Sequence, residues 1–338
     1  MIDLLVAGGG PAGLVTALHA ARAGLSVTVV ERRRPPIDKA CGEGMMPYAA
    51  QQLADLGITV AGKPFRGITY FDAEHRVDAP FRGSAGLGVR RTTLYSALLD
   101  AASTAGVDMV TAHVGSVSQD ADSVQCAGFR ARYLAAADGL HSPIRRSLGL
   151  AKPSTGSRRW GQRRHVQTAP WSDRVEVYWS NGAEAYVTPV AEDCVGIAIL
   201  TTQQGPFESR LAEFGALSER VNGHPHGPER AAGPLRQRVS GRTAGRVMLV
   251  GDAAGYVDAL TGEGLGIAFG GAELLVNCVL ADRPGDYDRQ WRKMSRRYRL
   301  LTAGLLKAVE YGPTRSRIVP AAGALPGAFG KIVNLLAY

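Results

Sequence analysis

Cysteine is scarce in this sequence, and its placement argues against several kinds of site. The 338 residues contain four cysteines, Cys41, Cys126, Cys194 and Cys278, and none of them forms a CxxC pair or joins a Cys/His cluster. A disulfide framework and a structural zinc site are therefore disfavoured, and we expect no metal. Scattered, unpaired cysteines are typical of a reducing compartment, so we expect a cytoplasmic location.

Long apolar stretches are also missing. The longest runs from Leu265 to Ala281 and contains Glu273 and Asn277, so it predicts a buried helix rather than a membrane span. The N-terminus leads directly into the apolar segment 2–6, without the charged and apolar regions of a cleavable signal. We therefore expect no secretion signal.

Positive charge is in excess, with 39 Lys and Arg against 30 Asp and Glu. Many of the arginines fall in the clusters 32–34, 158–164 and 289–299. No nucleic-acid-binding motif accompanies them, so we expect a basic surface and cofactor-phosphate contacts rather than a nucleic-acid partner. The basic stretch 289–299 precedes an apolar tail, 318–338, which either closes the domain or makes peripheral membrane contact.

The glycine-rich segment 8–13 predicts a dinucleotide-binding turn. It follows the apolar strand at 2–6 and opens a helix that we expect to end at about Gly24. A second strand at 26–30 then ends at Glu31. Strand, turn, helix, strand and terminal acid in this order are much more specific than G-x-G-x-x-G alone.

Each glycine of the turn has a separate expected role. Gly8 permits the tight turn, Gly10 lets the backbone approach a pyrophosphate, and Gly13 lets the helix pack closely on the strand. The helix N-terminus, with Pro11 and Ala12, offers free N–H groups and a positive dipole end to the phosphates.

The turn by itself does not separate FAD from NAD(P), because both contain an ADP half. Glu31 lies where an acid would accept hydrogen bonds from the adenosine ribose. Arg32 and the two arginines after it could instead accompany a 2′-phosphate, but an acid at position 31 would repel that group. We place both Glu31 and Arg32 at the cofactor.

Two later segments point to FAD through a resemblance. The segment 137–145 reads A-D-G-L-H-S-P-I-R, and the strand beginning at Arg246 ends in Gly251-Asp252. These look like the D-G-x-x-S-x-x-R and G-D motifs of the para-hydroxybenzoate hydroxylase-like flavoproteins, which include geranylgeranyl reductases and flavin-dependent halogenases. The resemblance implies that Asp252 binds the ribityl chain of FAD. It also implies that Asp138 lies near the pyrophosphate and that NADH or NADPH is a transient electron donor.

Three further segments are similar to flavin-contacting parts of that superfamily. The loop 257–266 would face the flavin ring through a helix N-terminus, although the family usually has Pro where this chain has Ala259. Arg91 matches an arginine near the FAD phosphate and ribose. The segment 40–47 resembles the loop beside the flavin in geranylgeranyl reductases. The resemblance thus adds these cofactor residues: Cys41, Gly42, Arg91, Gly262, Gly264 and Leu265.

We expect an α/β fold in which a Rossmann-type FAD-binding domain is combined with a discontinuous antiparallel-sheet substrate domain and C-terminal helices. The flavin domain would comprise 1–64, 91–155 and 240–285, the substrate domain 65–90 and 156–239, and a helical tail 286–338. Strands near 108–114, 123–129 and 131–137 would form a meander. Pro80 would restrict its own strand, 77–81, to a sheet edge.

The sequence favours a monooxygenase that uses NAD(P)H and O2 on an aromatic or lipophilic small molecule. A desolvated pocket and a substrate held close to the flavin would suffice for this reaction. A prenyl-chain double-bond reductase of the geranylgeranyl reductase type is the alternative, suggested by the loop containing Cys41. Cys41 and His165 are the catalytic candidates, His165 as a general base. A halogenase is disfavoured because no Trp-x-Trp-x-x-Pro pattern occurs, and substrate identity and oligomeric state stay open.

Overall fold

The computed structural model describes every residue from Met1 to Tyr338. Its strands, in chain order, are β1 (Ile2–Ala7), β2 (Val27–Glu31), β3 (Gly44–Met45), β4 (Lys63–Phe65), β5 (Gly67–Phe71), β6 (Arg76–Pro80), β7 (Gly86–Gly88), β8 (Asp108–Thr111), β9 (Val117–Gln119), β10 (Val124–Cys126), β11 (Phe129–Ala136), β12 (Ala151–Lys152), β13 (Trp160–Gln167), β14 (Val175–Trp179), β15 (Ala183–Ala191), β16 (Cys194–Thr201), β17 (Arg230–Ala232), β18 (Arg238–Val239), β19 (Thr243–Ala244) and β20 (Val247–Leu249).

The α-helices are α1 (Pro11–Arg22), α2 (Pro47–Asp55), α3 (Arg91–Thr104), α4 (Pro143–Ser147), α5 (Phe207–Leu211), α6 (Gly215–Val221), α7 (Gly264–Leu280), α8 (Tyr287–Glu310), α9 (Gly312–Arg315), α10 (Ile318–Ala324) and α11 (Pro326–Ala337). Short 3₁₀ turns cover Gly251–Ala254 and Pro284–Asp286. No single helix is long and apolar enough to cross a membrane; only the bent pair Gly312–Ala324 and Pro326–Ala337 together reaches that length and apolarity.

An eight-stranded sheet carries the dinucleotide-binding unit. Its main order is β19-β20-β11-β1-β2-β8, with β1, β2, β8, β11 and β20 parallel to one another. The residues of β2 are buried throughout, as expected of a strand covered on both faces. The carboxyl ends of β1, β2, β11 and β20 therefore meet at one edge, where ligands of open parallel sheets bind.

The expected meander is only partly present. The strand at 108–111, β8, pairs in parallel with β2 at the far edge of the sheet, because it follows α3 as the return strand of a βαβ crossover. The meander itself consists of β9, β10 and β11. Its last turn is a two-residue hairpin in which Ala127 and Gly128 both have positive φ, 53° and 81°, the signature of a tight type I′ turn.

A second sheet has seven strands in the order β17-β13-β16-β15-β14-β5-β6. All of its pairs are antiparallel except β14 with β5. Pro80 lies on the edge strand β6, as the sequence predicts. Two small sheets, β3-β7-β4 and β12-β18, complete the strands.

The C-terminal helices belong to both main layers. Tyr287 and Trp291, at the start of α8, are buried in the same core as β1 and α1. Further along, Val309, Phe329 and Val333 are buried in a core that includes strands β5 and β14 of the seven-stranded sheet. The stretch after 286 is helical as expected, and it packs across the two sheets rather than standing apart from them.

Two prolines of the C-terminal tail, Pro320 and Pro326, lie near helix starts. Pro320 is the third residue of α10, where the backbone N–H has no acceptor within the helix and its loss costs little. Pro326 is the first residue of α11, which is the helix position that proline occupies most readily.

Candidate functional site

A cavity of about 1070 Å³ is lined by residues of both main sheets and of the C-terminal helices. One part of its wall comes from the carboxyl-end edge of the parallel strands, and another from α8, α10 and α11. Most of the predicted site residues line it, namely Gly8, Gly10, Pro11, Ala12, Glu31, Arg32, Cys41, Gly42, Arg91, Asp138, Asp252, Gly262, Gly264 and Leu265.

The glycines of the turn differ in the space around them. Gly8 has φ +112°, and a Cβ there would lie 2.4 Å from the Ala137 carbonyl oxygen. Gly13 is packed so closely on the turn that its Cβ would lie 1.9 Å from the Gly8 carbonyl oxygen. At Gly10 the nearest atom to such a Cβ would be Nη2 of Arg91, at 3.8 Å. Gly10 therefore borders open cavity, whereas Gly13 lies outside the cavity lining and serves close packing.

Glu31 ends β2 with both carboxylate oxygens already bonded. Oε2 accepts the Gly9 N–H at 2.9 Å, and Oε1 accepts the Arg33 N–H and Nε, each at 3.0 Å. Burial raises the pKa of Glu31, but the hydrogen bonds from Arg33 and Gly9 outweigh it and leave the pKa below its ordinary value. Glu31 is therefore a charged acceptor at neutral pH, with lone pairs left for hydroxyl groups.

Two buried polar atoms beside the turn have no partner within the protein. They are Nε of Arg91 and Oδ1 of Asp138. The other carboxylate oxygen of Asp138 accepts the Ile144 N–H at 3.0 Å, and burial raises the pKa of Asp138. Unpaired buried polar groups are costly, so both atoms indicate that a ligand completes this end of the cavity.

Arg145 joins the two flavin-like motifs to each other. Its guanidinium is buried and donates to the carbonyl oxygens of Ala253 at 3.1 Å and Leu140 at 2.8 Å, and to Oε1 of Gln237 at 2.7 Å. The Asp252 side chain lines the cavity, with Nζ of Lys39 3.8 Å from its Oδ2. Arg145 is not among the site residues predicted from the sequence, although its place at the end of the D-G-x-x-S-x-x-R motif marks it.

The loop before α7 presents a helix N-terminus to the cavity. Gly262 has φ +71°, a conformation that favours glycine, and α7 begins at Gly264. Between them, Glu263 is buried, and neither of its carboxylate oxygens has a hydrogen-bond partner. Burial raises the pKa of Glu263 to about 9, with the charge of Arg297 opposing the shift. Glu263 is thus neutral at pH 7, and it is not among the site residues predicted from the sequence.

The loop with Cys41 is held by the next acidic residue, Glu43. Glu43 is buried with φ +60°, and its N–H donates to the Cys41 sulfur at 3.4 Å. Its Oε1 accepts the Arg91 N–H at 2.8 Å, and its Oε2 lies 2.7 Å from Nε2 of His165. Glu43 therefore ties the loop to the start of α3 and to β13. A charged residue inside a glycine-rich loop was the available signal for it.

His165, the predicted general base, does not line the cavity. Both of its ring nitrogens face protein groups: Nε2 faces Glu43, and Nδ1 lies 3.1 Å from Nη1 of Arg163. Arg163, two residues earlier and on the same face of β13, does line the cavity and lies with Glu43 against the His165 ring. The structure brings Cys41 to the cavity but leaves His165 behind the wall.

The part of the wall contributed by four strands of the seven-stranded sheet is uncharged. The contributing positions of β5, β14, β15 and β16 are Ile68, Tyr70, Val175, Val177, Tyr186, Thr188, Ala198 and Leu200, none of them charged. The Tyr186 hydroxyl donates to the Leu260 carbonyl at 3.1 Å, and the Tyr70 ring packs on Phe329 with centroids 4.7 Å apart. Burial raises the pKa of both tyrosines, so their hydroxyls stay neutral.

A buried ionic network lies beside this apolar wall. Glu184 of β15 pairs with Arg159, and its Oε1 lies 2.7 Å from Nη2 of Arg315 in α9. Nε of Arg159 also lies 3.3 Å from Oδ2 of Asp258, which precedes the Gly262 turn. Burial and the charge of Glu184 raise the pKa of Asp258 to about 6, although Arg159 opposes them.

These features fit FAD. The space at Gly10 and the unpaired Nε of Arg91 suit a pyrophosphate, and the unpaired Oδ1 of Asp138 suits a hydrogen-bond donor next to it. The α7 N-terminus suits an electron-rich ring edge. Gly10, Pro11, Ala12 and Arg91 would hold the pyrophosphate, Glu31 and Arg32 the adenosine ribose, Asp252 the ribityl chain, and Cys41, Gly42, Gly262, Gly264 and Leu265 the ring. When bound, FAD would supply hydride and electron transfer.

Curated proteins include reductases and a hydroxylase that resemble this chain. A menaquinone reductase of Mycobacterium tuberculosis is 31% identical over 344 residues, which cover 84% of this chain and 80% of the relative. A digeranylgeranylglycerophospholipid reductase of Methanopyrus kandleri is 29% identical, over 79% of this chain and 77% of the relative. A 3-(3-hydroxy-phenyl)propionate/3-hydroxycinnamic acid hydroxylase of Mycobacterium avium is 26% identical, over 99% of this chain and 66% of the relative.

The fold and the family agree with the site. A flavoprotein/dehydrogenase of Cytophaga hutchinsonii superposes with a TM-score of 0.83 at 20% identity, covering 99% of this chain and 92% of that one. A family model described as an FAD binding domain matches residues 1–281. The chain therefore belongs to this FAD-binding family and is an FAD-dependent oxidoreductase, as its glycine turn and Gly251-Asp252 motif predict.

Proposed function

We propose that this flavoprotein reduces a carbon–carbon double bond in the prenyl chain of a lipid. The observation that carries the proposal is the continuity of the cavity, which joins the dinucleotide turn at Gly10 to an apolar mouth at Leu325. Its volume of about 1070 Å³ lies just above the range of roughly 300–1,000 Å³ for small-molecule pockets. An elongated chain can enter at the mouth and reach the predicted flavin site.

The chemistry of the wall supports an apolar substrate. The charged cavity residues Glu31 and Arg91 come from the elements around the dinucleotide turn and Arg163 comes from β13, whereas β5, β14, β15 and β16 contribute none. Burying an apolar chain against such a wall is favourable by about 25 cal/mol per Å² of apolar surface. A charged aromatic acid, by contrast, would find no counter-ion on these four strands.

The names of the relatives support the same substrate class. Menaquinone and digeranylgeranylglycerophospholipid, which the two reductases are named for, are both lipids with prenyl chains. The sequence by itself favours a monooxygenase. The apolar mouth and these relatives together support the reductase alternative instead.

Cys41 is our proposed proton donor for this reaction. Saturating a double bond adds a hydride to one carbon and a proton to the other, and FAD would supply the hydride after NAD(P)H has reduced it. Among the residues lining the cavity, Cys41 has a thiol on the loop expected beside the flavin. The N–H of Glu43, 3.4 Å from its sulfur, would stabilise the thiolate that remains after proton transfer.

A nicotinamide cofactor is our proposed electron donor. Lys39, His141 and Arg146 line the cavity near the Asp138-Gly139 motif, and His141 and Arg146 are exposed. The two cations at this accessible rim, Lys39 and Arg146, suit the phosphates of NADH or NADPH. Monitoring nicotinamide absorbance with each cofactor tests this part and selects between them.

Anaerobic turnover is the deciding experiment. Enzyme with bound FAD, NAD(P)H and a menaquinone or geranylgeranyl lipid in detergent should yield, without oxygen, a product two hydrogen atoms heavier by mass spectrometry. Cys41→Ser should retain FAD and lower the rate by about 10²–10⁴-fold, the usual contribution of a general acid. Failure of every prenyl lipid to be saturated, with FAD bound and reducible, would reject the reductase proposal.

A monooxygenase is the second candidate, and one observation favours it. Tyr70 and Tyr186 place aromatic rings on the cavity wall, which suits a flat aromatic substrate. The related Mycobacterium avium hydroxylase is consistent with this alternative. An oxygen atom from labelled O2 in the product, together with no anaerobic turnover, would establish it in place of the reductase.

A further inference from the structure

The net charge of the chain is concentrated at its C-terminal end. Residues 287–338 contain ten Lys and Arg but only two Asp and Glu, whereas the other 286 residues contain 29 and 28. Nearly all of the net charge of +9 therefore belongs to helices α8–α11 and the turns between them.

The same segment carries most of the exposed large apolar residues. Six of the eight in the whole chain lie here, namely Leu300, Tyr311, Leu325, Ile332, Leu335 and Tyr338. We call α10 and α11, residues 318–337, the elbow, since the paired helical segments meet at 103°. The elbow contains Lys331 as its one charged residue, and residues 323–328 at its bend are all exposed.

Cationic and apolar groups meet at the mouth of the cavity. Leu300, Leu325 and Ile332 are exposed and also line the cavity. On α8, Lys293 and Arg296 precede Leu300 by seven and four residues, which places them on one helical face. Both cations are exposed and belong to none of the ion pairs of the structure.

We infer that the elbow and the α8 face formed by Lys293, Arg296 and Leu300 dock on an anionic lipid bilayer. The apolar bend would enter the acyl-chain boundary while the cations contact lipid headgroups, the arrangement of interfacial amphipathic helices. The inference rests on the proposed function for its purpose, because a prenyl chain would pass from the bilayer through this mouth into the cavity.

The combination of charge and exposed apolar surface favours a bilayer over the other polyanions. A nucleic acid would neutralise the cations of α8 but would leave Leu325 and Ile332 in water. A bilayer with anionic headgroups accommodates the cations and the apolar side chains together. Each Lys or Arg near its surface contributes about 1 kcal/mol to binding. That value corresponds to about a fivefold change in affinity per charge.

Vesicle binding tests the cationic part. The full chain with FAD should co-sediment with vesicles of equimolar phosphatidylglycerol and phosphatidylcholine more strongly than with phosphatidylcholine alone, and high salt should weaken the binding. Lys293→Gln/Arg296→Gln should lower the affinity about thirtyfold. Lys152→Gln/Arg238→Gln, which removes the same charge from exposed strand residues that belong to no ion pair, should leave it unchanged.

Insertion of the bend tests the apolar part. Leu325→Trp should give a fluorescence emission that brominated lipids quench, above the background from the four tryptophans of the wild type. Equal vesicle binding by the Lys293/Arg296 pair variant and its control, or no quenching of the new tryptophan, would overturn the inference. Retardation of a DNA duplex without vesicle binding would overturn it in favour of a nucleic-acid surface.

The outcome is separate from that of the proposed reaction. Vesicle binding is measured without substrate, and saturation of a detergent-dispersed prenyl lipid is measured without vesicles. If the enzyme saturates a prenyl lipid but does not bind vesicles, only the docking surface is rejected. Vesicle-bound enzyme that saturates no prenyl lipid would reject the reductase proposal alone.

Discussion

Adding one methyl group at Gly13 or at Gly10 of the dinucleotide turn should affect different properties, namely stability at Gly13 and FAD affinity at Gly10. At Gly13 a Cβ would lie 1.9 Å from the Gly8 carbonyl oxygen, a backbone atom that cannot move without displacing β1 or α1. At Gly10 the Cβ would lie 3.8 Å from the nearest atom, and the backbone there is extended, with φ −72° and ψ 176°. Alanine is sterically acceptable at Gly10 and not at Gly13.

The magnitudes follow from these distances. Overpacking costs about 1–3 kcal/mol. A chain of 338 residues has an unfolding entropy of roughly 0.7 kcal/mol/K, so Gly13→Ala should lower the melting temperature of the FAD-free protein by about 1–4 °C. Gly10→Ala should change it by less than about 1 °C, upward if at all, because alanine restricts the unfolded chain.

FAD affinity should distinguish the two variants in a second way. The methyl group at position 10 would occupy space facing the expected pyrophosphate and would displace a charge-assisted hydrogen bond worth about 1.5–3 kcal/mol. We therefore expect a 10- to 100-fold weaker Kd for Gly10→Ala, measured by quenching of FAD fluorescence. If Gly10→Ala bound FAD with the affinity of the wild type, the open space beside Gly10 would not be the pyrophosphate site. If Gly13→Ala melted like Gly10→Ala, the packing argument would be wrong.

Three further substitutions test other parts of the site. Arg145→Leu leaves its acceptors, among them Oε1 of Gln237, without their donor, and should lower the free energy of unfolding by about 3 kcal/mol in urea titrations and reduce FAD content. Glu263→Gln should become increasingly stable relative to the wild type as pH rises from 4.5 to about 9, because the unfolded wild type releases the Glu263 proton there while the folded wild type keeps it. If the free energies of unfolding of the two proteins changed in parallel with pH, a neutral Glu263 would be contradicted. Tyr186→Phe removes the hydrogen bond to Leu260 and should cost about 1 kcal/mol in the same titration, and no loss would mean that the bond adds nothing to the loop.

The parts of the site that the sequence predicts well are those made by neighbouring residues. The turn around Gly8 is determined by a single strand–helix unit, so its glycines mark it directly. Pro80 likewise indicates its edge position through a local property, the missing N–H. The meander before Asp138 is predicted only approximately, because the parallel pairing of β8 with β2 depends on the whole sheet rather than on the residues of β8.

The contacts that the sequence could not predict join distant segments. Glu43 meets His165 across 122 positions, and Arg145 reaches Ala253 across 108. Neither the partner nor the direction of a side chain is encoded locally at such separations. His165 therefore looked like a free base when it is bonded on both sides, and Glu263 had no sequence signal for its burial.

The buried ionic network beside the cavity connects α9 to the loop that precedes α7. Arg315 in α9 and Asp258 beside the flavin loop are linked through Glu184 and Arg159, so α9 cannot shift without changing the electrostatic environment of the loop. Binding at the C-terminal helices and binding of FAD should then share a coupling free energy. Reciprocity requires that FAD change the affinity for vesicles by the same factor by which vesicles change the affinity for FAD.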